Sequence, residues 1–204
     1  IPPSNDRGYR TWYHDRAMGV ATPLKLTYED YLYFPEDGKR HELIDGEHYV
    51  TPAPTPKHQF VLLNLIRSLD AWIREHGRGR LGMAPMDVVL SEVDVVQPDL
   101  LYFAPDRLDR IGEARIDGAP SLVVEILSDG TRKRDEITKR HLYSRHGVEE
   151  YWIVDPLVET VKVFRPGDDG ALVKVAELSG EGGDELASPL FPGLSIPLAA
   201  IFSL

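Results

Sequence analysis

Cysteine is absent from the 204-residue chain. Its absence excludes disulfide scaffolds, thiolate metal sites and cysteine nucleophiles, and it fits a cytoplasmic location. Long apolar runs are also missing. None approaches the roughly 20 residues that a membrane span needs, and no basic-then-apolar leader is read. Basic residues are scarce: 23 Lys and Arg stand against 33 Asp and Glu, a net charge of −10. That balance argues against a nucleic-acid partner at long range, because phosphate is repelled by a negative surface. What remains, 42% hydrophobic and 27% charged residues, suffices for the core of one globular domain.

The domain is expected over residues 23–204, after a loose tail over residues 1–22 that shows no apolar periodicity. Met18 is a candidate native start, with the preceding residues a remnant or a true extension. Thr27-Tyr-Glu-Asp30 has the spacing of a capping box and opens a short helix ending at Phe34-Pro35. Arg40 to Asp45 and Glu47 to Thr51 read as a hairpin turning at Gly46. After the extended Pro52-Ala-Pro-Thr-Pro56 stretch, Lys57 to His76 reads as a long helix with Phe60, Leu63, Ile66, Leu69 and Ile73 on one stripe. Gly77 to Gly82 is a connector. Strands follow over Met86 to Leu90, Val95 to Phe103 and Pro120 to Leu127, the last apolar enough to be buried on both faces. Thr131 to His146 is a helix. Strands at Glu150–Val154, Thr160–Phe164 and Ala171–Leu178 precede short strand and loop. This order predicts a mixed α/β sheet flanked by helices, with additional hairpins.

Several familiar motifs fail. Gly77-Arg-Gly79-Arg-Leu-Gly82 spells G-x-G-x-x-G, but it follows a helix and leads into a strand, the reverse of a dinucleotide loop. There is no Walker A loop and no G-x-S-x-G elbow. His41 is followed four residues later by Asp45, so there is no H-E-x-x-H zinc motif.

Three acidic residues stand where apolar strands disfavour them: Glu42 in His41-Glu-Leu-Ile44, Asp99 after Pro98, and Glu125 within Leu122-Val-Val-Glu-Ile-Leu127. A buried carboxylate costs several kcal/mol unless paired or bound to a cation. Carboxylates brought together repel, and a hard divalent ion such as Mg²⁺ or Mn²⁺ is a common remedy. Pro105-Asp106 repeats the Pro-Asp dipeptide, which therefore carries no weight alone. Asp87 and Asp94 are rivals for the same ion. The strand ending at Leu127 leads into a segment where Arg132, Lys133, Arg134, Lys139, Arg140 and Arg145 face Asp135 and Glu136. Lys139 falls about 12 Å along that helix and Glu125 about 7 Å back from the strand end, which places them at similar depth. Asp135, Lys139 and Tyr143 recur every four residues and share a face.

The order of these stretches resembles the PD-(D/E)XK nuclease superfamily, and more closely the bacterial Uma-two family of restriction-endonuclease-like proteins. The matching stretches are Arg40-His-Glu-Leu-Ile-Asp-Gly-Glu47, Val96-Gln-Pro-Asp-Leu100, Val123-Val-Glu-Ile-Leu-Ser128, Asp135-x-x-x-Lys139-x-x-x-Tyr143 and Gly147-Val-Glu-Glu-Tyr-Trp-Ile-Val-Asp-Pro156. The likeness runs from about Leu26 to Phe202. It implies an α/β restriction-endonuclease-like fold and Mg²⁺-dependent cleavage of DNA phosphodiesters. Asp99 and Glu125 would be metal ligands, completed by Glu42. The superfamily places its lysine two residues after the acidic residue, where Leu127 stands here, so Lys139 is the matching lysine. His58, Asp135 and Tyr143 would support the site from behind, Arg132, Lys133, Arg134 and Arg140 would contact the nucleic acid, and a homodimer is expected. A nuclease-like fold that binds nucleic acid or protein without cutting, and a hydrolase of smaller phosphate substrates, stay open at this point.

Overall fold

The computed structural model describes residues 24–128 and 130–203. The tail expected over residues 1–22 lies outside the described residues.

The chain starts with a single helical turn, α1 (Tyr28–Tyr31), whose capping box is formed: the Asp30 carboxylate accepts from the Thr27 amide at 2.8 Å and its hydroxyl at 3.0 Å. The hairpin β1 (Arg40–Ile44) and β2 (Glu47–Thr51) follows. Asp45 (φ 53°) and Gly46 (φ 77°) both turn through the left-handed region, where glycine is at no disadvantage. Helix α2 (Pro56–His76) opens on Thr55, whose hydroxyl accepts from the His58 amide, with Pro56 in the first turn. A missing N–H costs nothing there.

Next come β3 (Arg80–Met83), β4 (Val88–Ser91), β5 (Asp94–Val96), β6 (Leu100–Phe103), β7 (Ile116–Asp117) and β8 (Leu122–Ile126). A widened π turn at Arg134–Lys139 runs directly into α3 (Arg140–Arg145). Strands β9 (Glu150–Asp155), β10 (Thr160–Pro166), β11 (Leu172–Ser179), β12 (Glu185–Ala187) and β13 (Ser195–Pro197) lead to the last helix, α4 (Leu198–Phe202).

The mixed sheet with additional hairpins expected from the sequence is built as two larger sheets and a small hairpin. One runs β2-β1-β5-β4-β7, the other β11-β10-β9-β8-β6-β3, and β12 pairs β13. The expected strand Val95–Phe103 is split between the two at Gln97-Pro98-Asp99. Proline lacks the N–H a ladder needs, so β5 ends before it and β6 begins in the other sheet. The expected glycine connector also shortens, because Gly82 lies within β3 paired to Leu101.

Alternation along β8 explains the layers. Leu122, Val124 and Ile126 join the α2 core with Val61, Leu65, Leu69 and Trp152, while Val123 joins the opposite core with Tyr143, Tyr151 and Ile153. Glu125 therefore points, with Val123, toward α3 and the five-stranded sheet. The α2 stripe needs correction: Val61, Leu62, Leu65, Leu69, Trp72 and Ile73 are buried, whereas Phe60 and Leu63 are 50% and 40% exposed.

Candidate active site

Glu42 stands on β1, Asp99 on the passage from β5 to β6, Glu125 on β8, and Lys139 at the end of the π turn. All four are at most 3% exposed. The Lys139 ammonium is the hub. Its Nζ lies 2.7 Å from Glu42 Oε1, 2.9 Å from Glu125 Oε1 and 3.8 Å from Asp135 Oδ1. Tyr143 donates to Glu125 Oε1 at 2.7 Å, and the Gln97 amide donates to Glu42 Oε1 at 3.0 Å.

Asp99 heads a second group. Its Oδ1 accepts from Arg40 Nη1 at 2.6 Å. Its Oδ2 accepts from the Ile126 amide at 2.8 Å and lies 3.1 Å from His58 Nε2. Both groups line one cavity of about 230 Å³, walled also by Thr51–Thr55 and by Ser128, Gly130 and Thr131, with Arg134 on its side. A cavity of about 290 Å³ adjoins it and shares Arg40, Thr51, His58 and Asp99.

The same burial acts differently on the two carboxyls. For Glu125 burial dominates; with Asp135, Asp99 and Glu42 adding repulsion against Lys139, it drives the carboxyl up to about 8. For Asp99 burial pushes the same way but is outweighed by the hydrogen bond and charge of His58, by Arg40 and by the Ile126 amide, so it is held down at about 2. Burial would lower Lys139, yet Glu125, Glu42 and Asp135 together hold it above its ordinary range.

The family model described as Uma2, "Putative restriction endonuclease", matches residues 28–199. The chain belongs to the Uma2 family. Its fold is shared by a crystal structure from Anabaena variabilis ATCC 29413, titled "a putative nuclease belonging to DUF820". The two superpose with a TM-score of 0.71 at 22% identity, over 87% of this chain and 97% of that one. None of the curated proteins compared matches.

In this Uma2 chain the residues expected from the sequence meet, but not as one acidic set. Glu42, Glu125 and Asp135 share Lys139, while Asp99 belongs to Arg40 and His58. Among the described residues, no three acidic or imidazole side chains are placed to hold a metal ion as they stand. The donor chemistry nevertheless fits a hard cation. Glu42 Oε2 and Asp135 Oδ1 are buried carboxylate oxygens with no hydrogen-bond partner, and both residues line the cavity. Asp87 and Asp94 do not line it. Asp87 accepts from Tyr31 and Gln97, and Asp94 from the Asp45 amide and Ser91.

The basic run divides. Lys133 is exposed, Arg132 pairs with Asp155 at 2.6 Å, and the Arg140 guanidinium stands 5.4 Å over the Phe164 ring. Arg134, expected on the nucleic-acid surface, turns inward instead. It donates to Thr51 Oγ1 at 2.6 Å and covers the Tyr49 ring, because Glu42 lies behind it. Arg40 was not singled out from the sequence as a site residue. The signal was available: two residues before Glu42 on one strand, it shares Glu42's face.

Proposed function

We propose that this Uma2 chain is a Mg²⁺-dependent endonuclease, Mn²⁺ being able to substitute, that hydrolyses DNA phosphodiester bonds in the 230 Å³ cavity. The family and the shared nuclease-like fold supply the class. The observation that carries the reading is the convergence of Glu42, Asp99, Glu125 and Lys139 on one cavity from separate elements. The carboxylates of that cavity would hold the ion, which when bound would activate water and offset charge at phosphorus. Lys139 keeps a positive charge in a water-poor site, where it stabilises charge developing on a phosphate far more than it would in bulk water. Arg40 and Arg134 present guanidinium groups on the cavity wall, suited to phosphate oxygens. Lys133, Arg132 and Arg140 would contact the backbone outside, where phosphate contacts position the strand. We place the enzyme in the cytoplasm as a homodimer, an arrangement that would align two such surfaces on one duplex.

The test is cleavage of supercoiled plasmid and single-stranded oligonucleotide by purified protein in Mg²⁺, Mn²⁺ and EDTA. Cutting that requires metal and falls at least 100-fold in Glu125→Gln supports the reading. A folded protein that retains DNA on a low-salt column but cuts neither substrate favours the non-cleaving module. That second reading draws on Asp99, whose two oxygens are already engaged by the protein itself.

A further inference from the structure

The carboxylate that the family pattern nominates first as a ligand is the one best satisfied without a metal. Asp99 accepts from Arg40 at one oxygen and from the Ile126 amide and His58 at the other. Glu125 Oε1 already takes Lys139 and Tyr143. The buried carboxylate oxygens without a hydrogen-bond partner among the described residues are Glu42 Oε2 and Asp135 Oδ1. Both residues are 2% exposed, and both line the cavity.

We infer that a divalent cation in this cavity is held by Glu42 and Asp135, and that Asp99 is a fixed anion positioning Arg40 and His58. The presence of a divalent ion rests on the nuclease reading; the choice of ligands rests on the geometry. A buried acceptor without a partner costs about 1–3 kcal/mol, and more when charged. Positive charge is close to both oxygens without bonding either. Arg134 Nη2 stands 3.8 Å from Glu42 Oε2, and Lys139 Nζ stands 3.8 Å from Asp135 Oδ1. The Asp135 amide donates to the Thr131 carbonyl at 3.0 Å, which ties the residue to the start of its turn. An ion accepting these two oxygens would satisfy both and leave Lys139 on Glu125.

Two carboxylates are enough for this class of ion. Mg²⁺ commonly takes one or two, keeps several waters, and completes its shell with substrate phosphate. The lack of a third protein ligand is then a property of the site: metal and phosphate should bind together and each weakly alone.

The experiment is Mn²⁺ titration of the metal-free full chain, followed by electron paramagnetic resonance, with and without millimolar inorganic phosphate. Circular dichroism checks that each variant is folded. Phosphate should tighten Mn²⁺ binding severalfold in the wild type. Asp135→Asn and Glu42→Gln should each weaken it at least tenfold, with partial recovery in Asp135→Glu. Asp99→Asn should change it less than threefold, and so should His58→Gln, which loosens Asp99 while keeping its charge. The inference is overturned if Asp99→Asn or His58→Gln abolishes binding while Asp135→Asn retains it, or if the wild type binds no Mn²⁺ even with phosphate. The two readings separate on the same samples. Mn²⁺ held through Asp135 without any DNA cleavage removes the nuclease and keeps the site. Cleavage with Mn²⁺ binding that depends on Asp99 does the reverse.

Discussion

Lys139 bears more opposing charge than any other basic residue of the site, with three carboxylates within 4 Å of a fully buried ammonium. Removing one member of such a group leaves the others buried and uncompensated, at a cost of about 3–5 kcal/mol. Lys139→Met should lose that much in urea unfolding at pH 9, where Glu125 is ionised, and part should return at pH 7, below that carboxyl's raised value of about 8. Asp99 behaves in the opposite sense. Its folded value near 2 lies below its ordinary 3.8, so the stability it contributes is complete above about pH 4 and is lost as pH falls through 2. The stability gap between wild type and Asp99→Asn should narrow by about 2 kcal/mol between pH 5 and pH 2, measured by denaturant titration at each pH. Glu42 and Glu125 were legible as anomalies because charge interrupts apolar strands. How Asp99 and Lys139 divide their partners was not, since it depends chiefly on side chains 14 to 97 positions away along the chain.

At the scale of elements, the hairpin β1–β2 and the ends of α2 could be read because local chemistry sets them: Gly46 for the turn, Thr55 and Pro56 for the start. Which face of α2 is buried could not. The stripe through Phe60 and Leu63 and the stripe through Val61 and Leu65 both suit a period of 3.6. The choice is made by the sheet that α2 meets. Leu65→Ala should therefore cost about 2–5 kcal/mol, and Phe60→Ala less than about 1 kcal/mol, as exposed positions generally do; thermal unfolding of the two variants side by side decides it. The π turn escaped for a related reason. The recurrence of Asp135, Lys139 and Tyr143 showed a shared face, but the widened turn is favoured by buried partners on β1 and β8 that the local sequence does not contain. Pro98 did carry its signal, as a break in a ladder, and it marks where the chain changes sheets.

The whole molecule is acidic, and its basic residues near the site are few. Any DNA affinity must then come from a small patch. With roughly 0.9 counterions released per phosphate contacted, three or four contacts give a log–log salt slope of about −3. Fluorescence anisotropy between 50 and 200 mM salt measures it. A slope near zero would show that nothing on this surface tracks the phosphate backbone. The α/β class was legible from the alternation of strands and helices, whereas the division into two sheets was not. The short strands expected after Leu178 are β12 and β13, whereas α4 escaped, because so short a helix has a weak local signal. Helix α4 is fixed by distant chemistry, the Asn64 amide donating to the carbonyls of Ile201 and Ser203.

The residues lining the cavity span the chain from Arg40 to Lys139, and β9, the strand beside Glu125, pairs parallel to β8 across the intervening helix. A nascent chain still on the ribosome, with residues beyond about 125 not yet emerged, holds Glu42 and Asp99 but neither Lys139 nor Asp135. A proteolytic fragment cut within 100–130 is similarly incomplete. If the cavity cuts DNA, cutting requires synthesis to have passed Lys139, and neither piece of a chain cleaved within 100–130 carries the whole set of Glu42, Asp99, Asp135 and Lys139.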